Sequence, residues 1–358
     1  MAMKVLVLPR APSPYQNELY AAMRRQGTRV SYLGVLTSSR TLNLLLLPFE
    51  TLVRAATGWR IVHVHWLFGF ALPGSERFPL LRRLSQAWFM FWLAITQSAR
   101  VRIVWTAHNV LPHERVFHDD LAARRALVRA SRLVIAHSTA TLGALDSLGL
   151  RPCATLVVPH GPIAMGIRGA SRQPGSTPGQ RRLLFFGQVR EYKGVEELVA
   201  AATQVPATTQ FTLLVAGECG DAALRQRLER LAALAPNRVI LDLRYMSDTH
   251  LAHLVDDADI VALPFRRVTT SGSAWLALNR GRPLILPRLP AFDEFPDDAV
   301  WRYDGTIGGL TAAITAMAEA SPERLATMSD VGRAHLFPSW DAIARRTLSA
   351  FEHAKRRP

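Results

Sequence analysis

Near-continuous apolar runs recur along the chain, each followed by a stretch of helical character. In the first half they are KVLVL (4–8), RVSYLGV (29–35), IVHVHW (61–66), VRIVWTA (101–107), LVIAHS (133–138) and ATLVVPHG (154–161). In the second half they are RRLLFFG (181–187), FTLLVAG (211–217), RVILDLR (238–244), DIVALPF (259–265) and PLILP (283–287). A strand that is apolar throughout buries both of its faces, and a sheet does this only where helices cover it on each side. The pattern therefore predicts α/β architecture with parallel, doubly wound sheets. A length of 358 residues, 49% of them hydrophobic, is enough for two such domains. A polar segment rich in Gly, Pro, Ser and Gln, RGASRQPGSTPGQRR (168–182), marks the join. The expected division is an N-terminal Rossmann-like domain over 1–168, a linker over 169–181, a second Rossmann-like domain over 182–336 and a terminal helix over 337–358.

Composition narrows the function classes. Cys153 and Cys219 are the only cysteines, so no disulfide framework is expected and a reducing cytoplasmic setting is the default. The opening apolar run, Val5 to Leu8, is too short for a signal peptide, and no segment is long and apolar enough to span a bilayer. The net charge is +15, and residues 1–170 carry 20 Lys and Arg against 7 Asp and Glu. Such asymmetry points to an anionic partner surface, either a membrane or a nucleic acid. A bias toward arginine is the bland alternative, since Lys4, Lys193 and Lys355 are the only lysines. No helix-turn-helix or RNA-binding signature accompanies the charge, so nucleic acid is not the expected partner.

Two apolar segments of the first half stand out, LNLLLLPFETLV (42–53) and LRRLSQAWFMFWLAITQSAR (81–100). In the second, Leu84, Ala87, Trp88, Phe91, Trp92 and Ile95 share one helical face, with Arg82 and Arg83 at one end. An interfacial helix holding Trp88, Phe91 and Trp92 among lipid headgroups fits this pattern, and so does a buried core helix.

Ligands of open parallel sheets bind beyond the carboxyl ends of the strands, which directs attention to the loops that follow them. After 181–187 comes GQVREYKGVEEL, where Gly187 allows a tight turn and Arg190 and Lys193 precede a helix beginning near Val195. Two cations at a helix start suit a phosphate. After 259–265, Ser271, Gly272 and Ser273 offer hydroxyls and backbone N–H groups at the start of a helix over 274–280. That turn alone could be no more than a helix cap. The two loops together suggest a diphosphate. In the first half, VWTAHNVLPHERVFHDD (104–120) gathers His108, Asn109, His113 and Glu114 beyond a strand end, where a general base belongs. The Asp-x-Asp string of DDAD (256–259) reads as a solvated helix end rather than a metal site, and no His/Cys cluster has zinc spacing.

VWTAHNVLPHE, FFGQVREYKGVEELVAA and LPFRRVTTSGSAWLALNRGRPLILP, in this order, resemble bacterial glycosyltransferases of the GT-B fold. The resemblance is to the group that includes the xanthan-assembly β-mannosyltransferase and related exopolysaccharide and glycolipid enzymes. It extends from about residue 4 to about 350, with VHVHW and PSPYQNELY fitting the same pattern. It implies two Rossmann-like domains facing across a cleft, the second binding a nucleotide sugar and the first a lipid-linked glycan or glycolipid at the cytoplasmic membrane face. It also implies that no metal and no cofactor beyond the nucleotide-sugar co-substrate is needed, and that GDP-mannose is the favoured donor. Many retaining members carry Glu-x7-Glu across the last turn and helix, and the corresponding positions here are Val268 and Leu276. Their lack of carboxylates fits an inverting enzyme.

The expected roles follow residue by residue. Glu114 is the first choice for the base and His108 the second. Gly187, Arg190, Lys193, Ser271, Gly272 and Ser273 hold the diphosphate. Tyr245 and Met246 face the nucleotide base, and Tyr15, Asn17, Asn109 and His113 meet the acceptor. A UDP-sugar-dependent or retaining enzyme, an epimerase of similar fold acting on donor alone, and a basic nucleic-acid-binding protein are the alternatives.

Overall fold

A computed structural model describes residues 2–11, 13–112, 115–159, 161–162, 174, 180–335 and 338–356, with the side chains of 353–356 left aside. The chain divides into two compact units, Met1–Gly161 with Phe337–Pro358, and Pro162–Leu336.

The first unit runs β1 (Lys4–Leu8), α1 (Pro14–Arg25), β2 (Arg29–Tyr32), α2 (Arg40–Ala56), β3 (Ile61–Val64), α3 (Pro79–Ser98), β4 (Arg102–Ala107), α4 (Asp120–Ala130), β5 (Ser131–Ala136), α5 (Thr139–Ser147) and β6 (Thr155–Val157). Its sheet has the order β2-β1-β3-β4-β5-β6, and every pairing is parallel. The order reverses at β1, so the topological switch point lies between β1 and β3.

The second unit runs β7 (Arg181–Phe186), α6 (Val195–Gln204), β8 (Phe211–Ala216), α7 (Ala222–Ala232), β9 (Val239–Asp242), α8 (Asp248–Asp257), β10 (Ile260–Ala262), α9 (Gly272–Asn279), β11 (Leu284–Pro287), β12 (Val300–Tyr303), α10 (Ile307–Ala318) and α11 (Pro322–Ala334). Its sheet, β12-β11-β10-β7-β8-β9, is again parallel and switches between β7 and β10. The apolar runs announce all of these strands except β12. Its sequence VWRY lies at the sheet edge with Trp301 and Arg302 only half buried, so it lacks the continuous apolar character that marks the inner strands.

The last helix, α12 (Trp340–Arg356), packs on α1 in the first unit. Asp341 pairs with Arg25 at 2.7 Å, and the fully buried Phe351 sits edge-on to His63 with ring centroids 5.2 Å apart. A Cβ at Gly161 would lie 2.6 Å from the Trp340 ring, so only glycine lets the chain pass there.

Helix α3 corrects one expectation. Its inward face is Ser85, Phe89, Trp92 and Thr96, at the spacing of one helical stripe. Trp92 is fully buried and donates its indole N–H to Thr51 Oγ1 at 3.1 Å, so it belongs to the core and cannot reach a membrane. Trp88 is half buried and donates to the Leu44 carbonyl at 2.9 Å, which ties α3 to α2. Phe91 points outward at 45% exposure, Arg83 is exposed and Arg82 half buried. Among the described residues no helix is long and apolar enough to cross a membrane.

The two outcomes for α3 separate experimentally. Trp92→Ala should cost about 3–5 kcal/mol in chemical unfolding, whereas Phe91→Ser should change stability by roughly 0.5 kcal/mol or less. Equal costs would contradict the assigned faces.

Candidate functional site

The switch point of the second unit places two loops side by side, because β7 and β10 are neighbours and each ends there. The loop after β7 carries Gly187, Arg190 and Lys193, and the loop after β10 leads to the Ser271 turn. They are joined by a hydrogen bond from the Arg266 N–H to the Tyr192 carbonyl, 2.9 Å. Gly194 makes the approach possible: it has φ +68°, and a Cβ there would fall 2.0 Å from the Pro264 carbonyl oxygen. Gly217 serves the same end from β8, since a Cβ on it would lie 2.1 Å from the Gly187 carbonyl oxygen.

Lys193 reaches back over the strand ends. Its Nζ lies 5.9 Å from the ring centroids of both Phe185 and Phe265. A Cβ on Gly187 would come within 3.3 Å of the same atom. Burial among these groups, followed by the charge of Arg190, lowers the ammonium to about 8. A cation so placed gains from an incoming anion that restores its charge. Arg190 is exposed beside it.

At the second loop Ser271 is the N-cap of α9 and accepts a hydrogen bond from the Ala274 N–H at 3.2 Å. Its hydroxyl also meets Ser273 Oγ at 3.1 Å. Ser271 is buried, while Gly272 and Ser273 are half buried at the helix start. The capping role leaves an anion-binding role open, since a capped helix start still presents its N–H groups and positive dipole end. Tyr245 follows β9 and is 77% exposed, whereas Met246 beside it is buried. The DDAD string is structural. Asp256 forms a buried ion pair with Arg280, and Asp259 accepts from the Arg182 N–H at 2.8 Å.

In the first unit, His113 and Glu114 lie outside the described residues, so the expected pairing of His108 with a carboxylate is not on view. His108 sits in a different company. A continuous hydrogen-bonded chain links Thr106 Oγ1 to His63 Nε2 (2.7 Å), His63 Nδ1 to Tyr20 Oη (2.8 Å), and Tyr20 Oη to His65 Nε2 (2.5 Å). It continues from His65 Nδ1 to His108 Nε2 (2.9 Å), from His108 Nδ1 to His137 Nε2 (3.2 Å), and from His137 Nδ1 to the Val158 carbonyl (3.0 Å). All of these side chains are buried.

The carbonyl at the end orders the whole chain. It can only accept, so His137 carries a proton on Nδ1, and in a neutral ring Nε2 then accepts from His108. With neutral rings throughout, the same step repeats through His65 to Tyr20 and His63, each ring being the Nδ1–H tautomer and Thr106 the donor at the end. Tyr15 hydrogen-bonds Thr106 at the far end. Burial pushes His63 down to about 3 and His65 well below the ordinary histidine value, so neither is charged near neutral pH. Both ring nitrogens of His108 are thus engaged by other histidines, and its ring stacks on Trp66 at 4.5 Å. The geometry suits a positioning group better than the base expected of it.

Tyr15 and Asn17 lie in the first turn of α1, not in a loop. Tyr15 is buried edge-on against His65, His108, His137 and Trp340, so its ring packs in the core rather than standing in an open loop. Asn17 is exposed and Asn109 half buried. The sequence contained the signal for the network: His63 and His65 are two residues apart, the spacing that puts strand side chains on one face. The involvement of Tyr20 and Thr106 had no such signal. Among the described residues, no group of three or more His, Cys, Asp or Glu is arranged to hold a metal ion.

Residues 180–321 match the family described as Glycosyl transferases group 1. Over 240 residues the chain is 30% identical to a GDP-mannose:glycolipid 4-beta-D-mannosyltransferase of Xanthomonas campestris pv. campestris, spanning 63% of this chain and 61% of that protein. It therefore aligns with less than two thirds of that relative. A D-inositol 3-phosphate glycosyltransferase of Segniliparus rotundus is 27% identical over 297 residues, 74% of this chain and 64% of the relative. Among solved structures, sucrose-phosphate synthase from Thermosynechococcus elongatus superposes with a TM-score of 0.74 at 19% identity, covering 99% of each chain. Anabaena HepE in complex with UDP gives 0.67 at 17% identity, covering 99% of this chain and 100% of that one. The two parallel six-stranded sheets are those of the GT-B fold.

Two titrations test the geometry. Histidine ¹⁵N spectra should show His63 and His65 as neutral Nδ1–H tautomers that do not titrate between pH 7 and 5. A midpoint near the ordinary 6.5 would break the assigned order. The unfolded chain binds more protons than the folded one between 6.5 and about 3 at His63, so stability should fall as pH falls through that window. At the other site, nucleoside diphosphate affinity should weaken as pH rises through about 8, where Lys193 loses its proton. Lys193→Met should flatten that dependence, and an unchanged slope would remove Lys193 from the site.

Proposed function

We propose, from the premise that residues 180–321 are a glycosyltransferase group 1 domain within a GT-B fold, that this protein transfers mannose from GDP-mannose to a glycolipid or lipid-linked glycan. The observation that carries the proposal is the pair of loops at the β7–β10 switch point, one cationic and one a hydroxyl-bearing helix start. Together they match the charge of a diphosphate. The donor and acceptor are inferred from the Xanthomonas relative, whose name specifies both.

The mechanism follows from the residues present. An acceptor hydroxyl loses its proton to a base as its oxygen attacks the anomeric carbon, and the bond from that carbon to the β-phosphate oxygen breaks in the same step. One displacement inverts the anomeric centre. Negative charge grows on the departing diphosphate, and Arg190, Lys193 and the N–H groups around Ser271 to Ser273 stabilise it without a metal ion. Val268 and Leu276, where many retaining relatives place carboxylates, leave no acidic group there to serve a retaining pathway. Glu114 is the proposed base, and the buried histidine chain that includes His108 is proposed to hold the adjoining strand ends in place. The first unit is proposed to meet the cytoplasmic face of the membrane through the outward residues of α3, Phe91 with Arg82 and Arg83, the carboxyl side of the helix being anchored by Trp92 in the core.

Thermal stabilisation across a panel of nucleotide sugars tests the donor. GDP and GDP-mannose should stabilise selectively. A preference for UDP species would keep the fold and chemistry and overturn mannose, and no response to any nucleotide would overturn the proposal. In a transfer assay Arg190→Ala and Lys193→Ala should each lose roughly 10²–10³ in kcat. The product should be the β-anomer by NMR, and an α-product would contradict the single displacement.

A further inference from the structure

The stretch that follows β7 carries a charge conflict. Between Gln188 and Glu197 two cations, Arg190 and Lys193, are outnumbered by three carboxylates, Glu191, Glu196 and Glu197. By charge alone this stretch should repel a diphosphate. Glu196 and Glu197 also stand in the first turn of α6, where they offset the positive end of the helix dipole that an anion would use. A diphosphate held at Lys193 therefore requires that these carboxylates be neutralised or turned aside.

The fold supplies an arginine for each of them, and both arginines come from other elements. Arg227, in the middle of α7, donates from Nε to the two carboxylate oxygens of Glu196 at 3.1 Å and from Nη2 to Glu191 Oε1 at 3.1 Å. Arg266, in the loop after β10, donates from Nε to Glu197 Oε1. Strand β7 lies between β10 and β8 in the sheet. Two of the carboxylates are thus drawn to the helix that follows β8, and the third to the loop that follows β10. Among the described residues Lys193 has no ion pair with any of the three, and its ammonium stays over the rings of Phe185 and Phe265.

Ion pairs this open to solvent contribute little to folding. The Arg227 and Glu196 side chains are 32% and 30% exposed, and Glu191 is 62% exposed. Their consequence is electrostatic. An arginine bound to a carboxylate cancels its field at a distance while leaving the cations beside it unaltered. We propose that Arg227 and Arg266 are positioning residues for the donor: by holding Glu191, Glu196 and Glu197 at the flanks of the loop, they give Lys193 a positive field that the loop's own sequence does not provide. The inference rests on the diphosphate reading above and adds the residues that make the loop receptive to an anion. Neither arginine needs to touch the ligand for this.

Calorimetric titration of the intact chain with GDP, UDP and inorganic diphosphate tests it, at about 20 mM salt, where charges act over about 20 Å. Arg227→Gln leaves two carboxylates uncompensated and should weaken binding by roughly three- to tenfold, the scale of a few unit-charge interactions across about 10 Å of largely aqueous medium. The loss should shrink at about 200 mM salt, where screening acts within that distance. Glu191→Gln and Glu196→Gln, introduced together into Arg227→Gln, should restore most of the affinity, and Glu197→Gln should do the same for Arg266→Gln. Arg227→Lys keeps the charge and should lose less than Arg227→Gln. A packing defect would respond neither to salt nor to the second substitutions. Binding that Arg227→Gln leaves unchanged, or a loss that salt and the glutamine substitutions do not relieve, would overturn the positioning role. A loss in Arg266→Gln that Glu197→Gln does not relieve would overturn it for Arg266 and indicate direct contact with the ligand. Failure of the unsubstituted chain to bind any of the three probes would overturn the diphosphate reading itself, so the two readings fail separately.

Discussion

Both faces of each sheet are covered by helices, and most of what matters in this protein follows from that burial. A parallel strand covered on both sides has no solvent-facing side on which to place polar chemistry. Its polar residues must either be satisfied inside the core or gather beyond the carboxyl end of the strand, where the chain turns. Both solutions occur. In the second unit the functional candidates lie beyond strand ends, at the β7–β10 switch. There glycines 187, 194 and 217 remove the Cβ atoms that would hold the loops apart. In the first unit Tyr20, His63, His65 and Thr106 lie inside, and the cost of burying them is offset by a chain of hydrogen bonds in which each ring nitrogen has a partner.

That chain has a direction because it ends on a backbone carbonyl. Val158 can accept but not donate, and this one constraint propagates through His137, His108 and His65 to Tyr20 and on to His63. The depressed values of His63 and His65 are the electrostatic counterpart of the same arrangement. Helix α12 completes it from outside, setting Phe351 against His63 and Trp340 against Tyr15.

The apolar surplus of the first unit has two destinations. Phe89 and Trp92 of α3 and Leu44 and Leu47 of α2 fill the core. What remains, Leu42, Leu45, Phe49 and Leu52 on α2 with Leu80, Leu84 and Phe91 on α3, stays on the surface. Surface helices of a globular domain ordinarily keep one apolar stripe. Two neighbouring helices that keep apolar residues on their outer sides as well depart from that pattern and are compatible with the glycolipid acceptor proposed above.

The sequence by itself determined the α/β class, the parallel sheets, eleven of the twelve strands among the described residues, and the position of two polar loops beyond strand ends of the second unit, because burial on both faces and the small, cationic or hydroxyl-bearing residues of such loops leave local marks. The Ser271 turn was legible as a helix start for the same reason: a capping hydroxyl acts within three residues of itself. Only the tertiary structure decided which face of an apolar helix is inside. Trp92 and Phe91 are adjacent and equally hydrophobic, and α2 and the sheet selected Trp92 for the core. Tertiary structure likewise buried Tyr15 and Met246, which the sequence had placed in loops. It joined His108 to partners 29 to 43 residues away. Periodicity reports that a side chain is apolar or polar. Which neighbour it meets depends on strand order and helix packing, and these are settled only when distant parts of the chain come together.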